Sequence, residues 1–132
     1  MSVVHHGQLH DRRPAKPESI PSLRRAVVDF AAANGASEQQ LENIALAVSE
    51  AVSNAVLHAY IEEECPGTVA VEAKVEGRAL DIVIADDGRG LLPRTDSPGI
   101  GLGLALIERI TEQLKLEQSG QGVRLRMKFP LR

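Results

Sequence analysis

The stretch that decides the fold is residues 38–60, EQQLENIALAVSEAVSNAVLHAY. Its apolar residues recur at helical spacing, so one side of a helix carries most of them. They are Leu41, Ile44, Ala45, Val48, Ala51, Val52, Ala55 and Ala59. Glu50 and Asn54 fall one turn apart on the opposite side, which they share with Leu46 and Leu57. Because a fully solvated face would not usually carry two leucines, this second side is interpreted as a pocket wall.

The size and charge of the chain define its broad class. Its 132 residues suit one domain over 1–132, and 43% are hydrophobic. Only two Phe and one Tyr are present, so the core is expected to be aliphatic. This composition argues against binding single-stranded nucleic acid by base stacking. The net charge of −3 gives no electrostatic support for binding nucleic acid directly.

Cysteine content and hydropathy indicate the compartment. Cys65 is the single cysteine, so no internal disulfide can form, which fits a reducing environment. No apolar run reaches the roughly 18 residues of a membrane helix, and the N-terminus lacks an apolar signal core. We therefore expect a soluble cytoplasmic protein without a membrane partner.

The remaining elements follow from periodicity and turn residues. Residues 1–18 are expected to form a partly disordered tail or an edge strand. A first helix should be capped by Ser19 or Ser22 and end at Asn34 and Gly35. A capping box at 37–40 should open the second helix, from Glu38 to about Tyr60. Further elements are predicted as strands 68–75 and 79–85, helix 102–114, and strands 115–119 and 123–129. This order predicts an α+β two-layer sandwich, with a mostly antiparallel sheet and helices on one face.

Two glycine-rich segments follow the central strand, DDGRG at 86–90 and GIGLG at 99–103. Glycine lets the backbone approach a ligand closely, and the second segment leads into a helix whose N-terminus suits phosphate. Asp86 ends a buried strand and could accept hydrogen bonds from an amine such as that of adenine. Each segment alone is more often a turn than a ligand loop, and neither matches a dinucleotide or Walker loop.

In this order, QLENIALAVSEAVSNAVLHAY (40–60), IVIADDGRGL (82–91) and GIGLGLALIERI (99–110) resemble the GHKL ATP-binding superfamily. The nearest likeness is to its bacterial anti-sigma-factor serine/threonine kinases, and it covers roughly residues 8–130. The resemblance implies the Bergerat α/β sandwich, ATP binding and a Mg2+ ion. It assigns Glu50 as general base, Asn54 as the magnesium ligand and Asp86 as the adenine reader. It further assigns nucleotide contacts to Gly88, Gly90, Gly99, Gly101 and Gly103.

The resemblance implies a kinase that phosphorylates an anti-anti-sigma (STAS-type) partner protein and otherwise holds a sigma factor. It also implies a homodimer. One alternative is a non-catalytic, nucleotide-gated anti-sigma binding module. It is favoured by Val123, which stands where the family often carries a threonine. A second alternative, the ATPase domain of a two-component histidine kinase, is disfavoured by the short lid and by the lack of a phosphoacceptor helix pair.

Overall fold

The computed structural model describes residues 3–5, 7–62, 67–86, 105–119 and 122–131. Two helices and six strands have defined bounds, and residues 105–110 form a further helical segment. In chain order they are β1 (Val3–His5), β2 (Gln8–Pro14), α1 (Ser19–Ala33), α2 (Glu38–Glu62), β3 (Thr68–Glu76), β4 (Ala79–Asp86), β5 (Gln113–Ser119) and β6 (Gly122–Pro130).

The strands form one six-stranded sheet in the order β1-β2-β3-β4-β6-β5. Each of these neighbouring pairs is antiparallel, so the described strands form a fully antiparallel sheet. Helix α1 packs on β2 and β3, and α2 packs on β3, β4 and β6. The predicted two-layer α+β sandwich is confirmed.

The core between helices and sheet is mostly aliphatic, as predicted, and both phenylalanines of the chain, Phe30 and Phe129, are buried in it. Alternate residues of β3, β4 and β6 point into it, and Val71, Ile84 and Leu125 lie side by side across the three strands. The residues of α2 that close the core from above are at most 4% exposed; they are Ile44, Ala47, Val48, Ala51, Val52, Ala55 and Val56. Within the described ranges, no helix is both long enough and apolar enough to cross a membrane.

The N-terminal segment, predicted as a tail or an edge strand, contains two strands. Residues Gln8–Pro14 form an inner strand between β1 and β3, and β1 takes the sheet edge. The helix-facing positions of β2 are Leu9 and Asp11, only 2% and 0% exposed. A buried charge at one of these positions obscured the apolar alternation by which a strand is usually recognised.

Both ends of α1 depend on backbone contacts. Neither predicted serine caps the helix; Glu18 is at the N-cap and makes no side-chain capping bond. A preceding turn takes over this role, since the N–H of Ser19 donates to the carbonyl of Lys16 at 2.9 Å. The predicted stop is confirmed, because Gly35 has a φ of 89° and the N–H of Ala36 donates to the carbonyl of Ala31.

Half of the capping box predicted for α2 forms. The Gln40 N–H donates to Ser37 Oγ at 3.2 Å. The Ser37 N–H donates instead to the carbonyl of Leu131 at 2.8 Å, so the Gln40 side chain does not reach back to it. A contact from the far end of the chain replaces the local one.

The predicted helix 102–114 is too long at its C-terminal end. The described helical residues end at 110, and Gln113 and Leu114 already belong to β5. The N–H of Glu112 donates to the carbonyl of Lys128 at 2.7 Å, which draws the chain into the ladder with β6. Pairing of Leu114 with Met127 then continues the sheet.

Candidate functional site

Helix α2 carries the first two candidate residues. Asn54 is 8% exposed, whereas Glu50 is half-buried. Residues four apart on a helix lie about 6 Å apart along its axis, so the two side chains are neighbours on one side of α2. The candidate carboxylate and carboxamide are therefore held on one rigid element.

The rotation of α2 about its axis determines where Glu50 points. Val48, Ala51 and Val52 are all 0% exposed, so the core holds the helix from one side. On the other side, Arg24 Nη1 of α1 donates to Ser49 Oγ at 3.2 Å. Ser49 directly precedes Glu50 in the sequence, so this hydrogen bond joins α2 to α1 close to the candidate base. Sequence periodicity did not predict it, because it joins residues 25 positions apart.

Asp86, the third candidate, is the last residue of β4. Its register partners are Val69 on β3 and Val123 on β6. Side chains alternate along a strand, and Ile82 and Ile84 are fully buried under the helices. Asp86 therefore belongs to the helix-facing side of the sheet, the layer on which α2 packs, and it is half-buried.

The described candidates suit the chemistry of a nucleotide and a hard cation. A carboxamide oxygen is a ligand type that Mg2+ accepts, and this ion commonly takes few protein ligands. A carboxylate one turn away can take a proton. A second carboxylate at a strand end can accept hydrogen bonds from an exocyclic amine. The glycines predicted to contact the nucleotide, Gly88, Gly90, Gly99, Gly101 and Gly103, lie outside the described residues.

The side of α2 predicted to be a pocket wall is partly open. Leu46 is 43% exposed and Leu57 is 51% exposed, and they stand on either side of Glu50 along the helix. Helical spacing predicted which side they occupy, although it could not predict how much of each leucine is uncovered.

A charged surface lies on the sheet face opposite the helices. Its arginines are paired, Arg124 with Glu72 at 3.7 Å and Arg126 with both Asp81 and Glu117. The basic side of β6 is thus balanced by carboxylates of β3, β4 and β5, which argues against an anion site there.

The sequence is similar to a known protein family over most of its length. Residues 13–129 match the family described as the histidine kinase-like ATPase domain. A serine-protein kinase RsbW of Bacillus velezensis is 34% identical over 129 residues, covering 86% of this chain and 79% of that protein. An anti-sigma F factor of Clostridium acetobutylicum is 31% identical over 126 residues, with coverages of 86% and 87%.

Solved structures show the same fold. The RsbU and RsbW domains of a Mycobacterium tuberculosis protein superpose with a TM-score of 0.74 at 23% identity, covering 94% of this chain. A blue-light activated histidine kinase of Erythrobacter litoralis gives a TM-score of 0.59 at 28% identity, covering 73% of this chain. This chain spans 32% of each of those longer chains.

Proposed function

The chain belongs to the histidine kinase-like ATPase domain family, and from this premise we propose that it is an anti-sigma regulator with serine/threonine protein kinase activity. Membership in the family implies ATP binding. The names of its relatives, serine-protein kinase RsbW and anti-sigma F factor, support the finer assignment. The structural observation that carries the proposal is Glu50 beside Asn54 on α2, because a passive scaffold has no need of a half-buried carboxylate there.

In the proposed reaction, a serine or threonine hydroxyl of a partner protein attacks the γ-phosphorus of ATP. A bond forms between the hydroxyl oxygen and phosphorus, while the bond from phosphorus to the β–γ bridging oxygen breaks. ADP leaves with that electron pair, and the hydroxyl proton passes to the Glu50 carboxylate. The role of the protein is chiefly to position these groups and to balance the phosphate charge.

Asn54 would hold the magnesium ion through its carboxamide oxygen, and the ion would supply charge neutralisation at the phosphates. Asp86 would accept a hydrogen bond from the adenine amino group at the end of β4. The glycines at positions 88, 90, 99, 101 and 103 would let the backbone approach the nucleotide.

The proposed regulatory role is competition between partners. An unphosphorylated anti-anti-sigma protein would occupy the kinase and release a sigma factor, and phosphorylation would free the kinase to bind the sigma factor again. We also propose a cytoplasmic homodimer, which the family resemblance implies. Light scattering on the eluting protein peak should then give twice the mass of the 14.2 kDa chain.

A second candidate function has one observation in its favour. The strand register pairs Val123 with Asp86, so the neighbour of the proposed adenine reader carries no hydroxyl. A protein that binds nucleotide weakly could act as a nucleotide-gated anti-sigma module that transfers nothing. The two candidates differ in a single measurable property, which is phosphate transfer.

The test is transfer of labelled γ-phosphate from Mg-ATP to a panel of candidate anti-anti-sigma proteins. We expect transfer by the wild type, loss of at least 100-fold in kcat with Glu50→Gln, and loss of magnesium-dependent ATP binding with Asn54→Ala. Glu76→Gln is the matched control, because this exposed glutamate stands at the hairpin, at the far end of the β3–β4 pair from Asp86.

The outcomes separate the candidates. Transfer by the wild type and by Glu76→Gln, but not by Glu50→Gln, supports the kinase. ATP binding by the wild type without transfer to any partner favours the binding module. Equal transfer by wild type and Glu50→Gln would show that Glu50 is not the base.

A further inference from the structure

Four residues form a continuous line along the outer side of α2, which we call the Glu50 stripe: Leu46, Glu50, Ser53 and Leu57. At 100° per residue they fall within about 60° of one another around the helix axis. Leu46 and Leu57 are 43% and 51% exposed, while Glu50 and Ser53 are half-buried. The stripe is thus a partly apolar surface with one carboxylate between its two leucines.

Neither exposed leucine of the stripe belongs to the hydrophobic core formed by the described residues. The residues of α2 that close the core lie on its other side, where Val48 and Val52 are fully buried. Among the described residues, the other large hydrophobic side chains that are exposed are Val4 and Leu116, on the two edge strands β1 and β5. A single exposed leucine needs no explanation, but two on one line with the proposed base form a continuous surface.

The dimensions of the stripe fit a short peptide segment. A helix rises 1.5 Å per residue, so Leu46 and Leu57 stand about 16 Å apart along the axis, with Glu50 about 6 Å from Leu46. An extended chain of about five residues covers the same length. An acceptor hydroxyl must come within hydrogen-bond reach of Glu50 to lose its proton. The chain that carries it must therefore lie against the residues that flank Glu50.

We propose that Leu46 and Leu57 bind the acceptor segment of the protein substrate, by packing against apolar side chains on either side of its serine or threonine. This inference rests on the proposed kinase function. It assigns the two leucines to substrate recognition and leaves the chemical step to Glu50. Apolar contacts of this kind contribute mainly to binding of the protein substrate, so they act on its KM.

The test uses the protein of the anti-anti-sigma panel to which the wild type transfers phosphate. It compares transfer to that protein by wild type, Leu46→Gln, Leu57→Gln and the double variant. We expect KM for the partner to rise about ten-fold in each single variant and further in the double variant, with the Kd for Mg-ATP unchanged. Leu46→Met and Leu57→Met should restore a KM near that of the wild type, because methionine keeps the apolar volume. The matched control is Leu116→Gln, at an exposed leucine on the far edge of the sheet.

Several results would overturn the inference. An unchanged KM in both glutamine variants, or an equal rise in Leu116→Gln, would show that the stripe does not select the substrate. Weaker ATP binding would assign the leucines to the nucleotide pocket instead. If the wild type transfers phosphate to no partner, the kinase proposal and this inference fail together, whereas normal transfer by the variants removes the inference alone.

Discussion

Asp86 lies directly opposite Val123 across the antiparallel pair of β4 and β6. Val123 is 1% exposed and shares the helix-facing side with Leu125 and Met127. The carboxylate proposed to read adenine therefore has an aliphatic neighbour on β6. A hydroxyl at that position could donate to the carboxylate or accept from the adenine amino group.

Val123→Thr should strengthen ATP binding. The two side chains have nearly the same shape, and one added hydrogen bond is worth about 1 kcal/mol, so Kd for Mg-ATP should fall about five-fold. Isothermal titration calorimetry on wild type and variant measures this directly.

The control for that prediction is Val71→Thr, which buries the same hydroxyl on β3 at a position opposite Ile84 rather than Asp86. We expect it to lower stability and to leave Kd unchanged. If Val123→Thr binds ATP no better than the wild type, the side chain at 123 does not contribute to adenine recognition.

Asp11→Asn should destabilise the protein. Asp11 is 0% exposed on β2, and Arg13 Nε contacts its Oδ1 at 3.2 Å. Asparagine keeps the shape but removes the charge that balances Arg13, whose side chain is only 33% exposed. We expect the free energy of unfolding to fall by about 1–3 kcal/mol, measured by urea denaturation.

Arg12→Gln is the comparison for Asp11→Asn, because Arg12 is exposed on the opposite face of the same strand. This substitution should change the free energy of unfolding by no more than about 0.5 kcal/mol. A loss of similar size in both variants would mean that β2 is sensitive to any substitution, and no loss in Asp11→Asn would mean that the pair does not stabilise the fold.

Local patterns predicted α2, β3, β4 and β6 to within two residues, because α2, β3 and β6 have a clear period of apolar positions and β4 is apolar on both faces and follows a turn. Two of the errors, at the ends of α2 and β5, arise where distant residues decide the structure. The carbonyl of Lys128 accepts a hydrogen bond from the N–H of Glu112, just before β5 begins. The carbonyl of Leu131 accepts one from the N–H of Ser37, just before α2 begins. No local window contains both partners of such bonds.

The candidate site also combines features that local sequence patterns predict with features that depend on distant residues. The spacing of Glu50 and Asn54 on one helix could be predicted from the sequence, as could the position of Asp86 at a strand end. The bond from Arg24 to Ser49 and the exposure of Leu46 could not, since both depend on how the helices pack.

The hydrogen bond from Arg24 to Ser49 should couple α1 to α2 energetically. A double-mutant cycle with Arg24→Met and Ser49→Ala isolates it, because methionine keeps much of the aliphatic stem. We expect a coupling of about 0.5–1.5 kcal/mol in the free energy of unfolding, measured with urea. Additive losses would show that the bond contributes nothing in solution.

Gly35 ends α1 with a φ of 89°, and a Cβ atom built there would meet nothing within 4 Å. Any cost of substitution therefore comes from the backbone conformation rather than from a clash. Gly35→Ala should lower the free energy of unfolding by about 1–2 kcal/mol, since L-residues disfavour positive φ. Gly35→Asn should cost less, because asparagine tolerates this region. Urea denaturation of both variants separates the causes: if the larger asparagine costs more than alanine, crowding rather than φ controls this position, and the proposed reason for the helix stop is wrong.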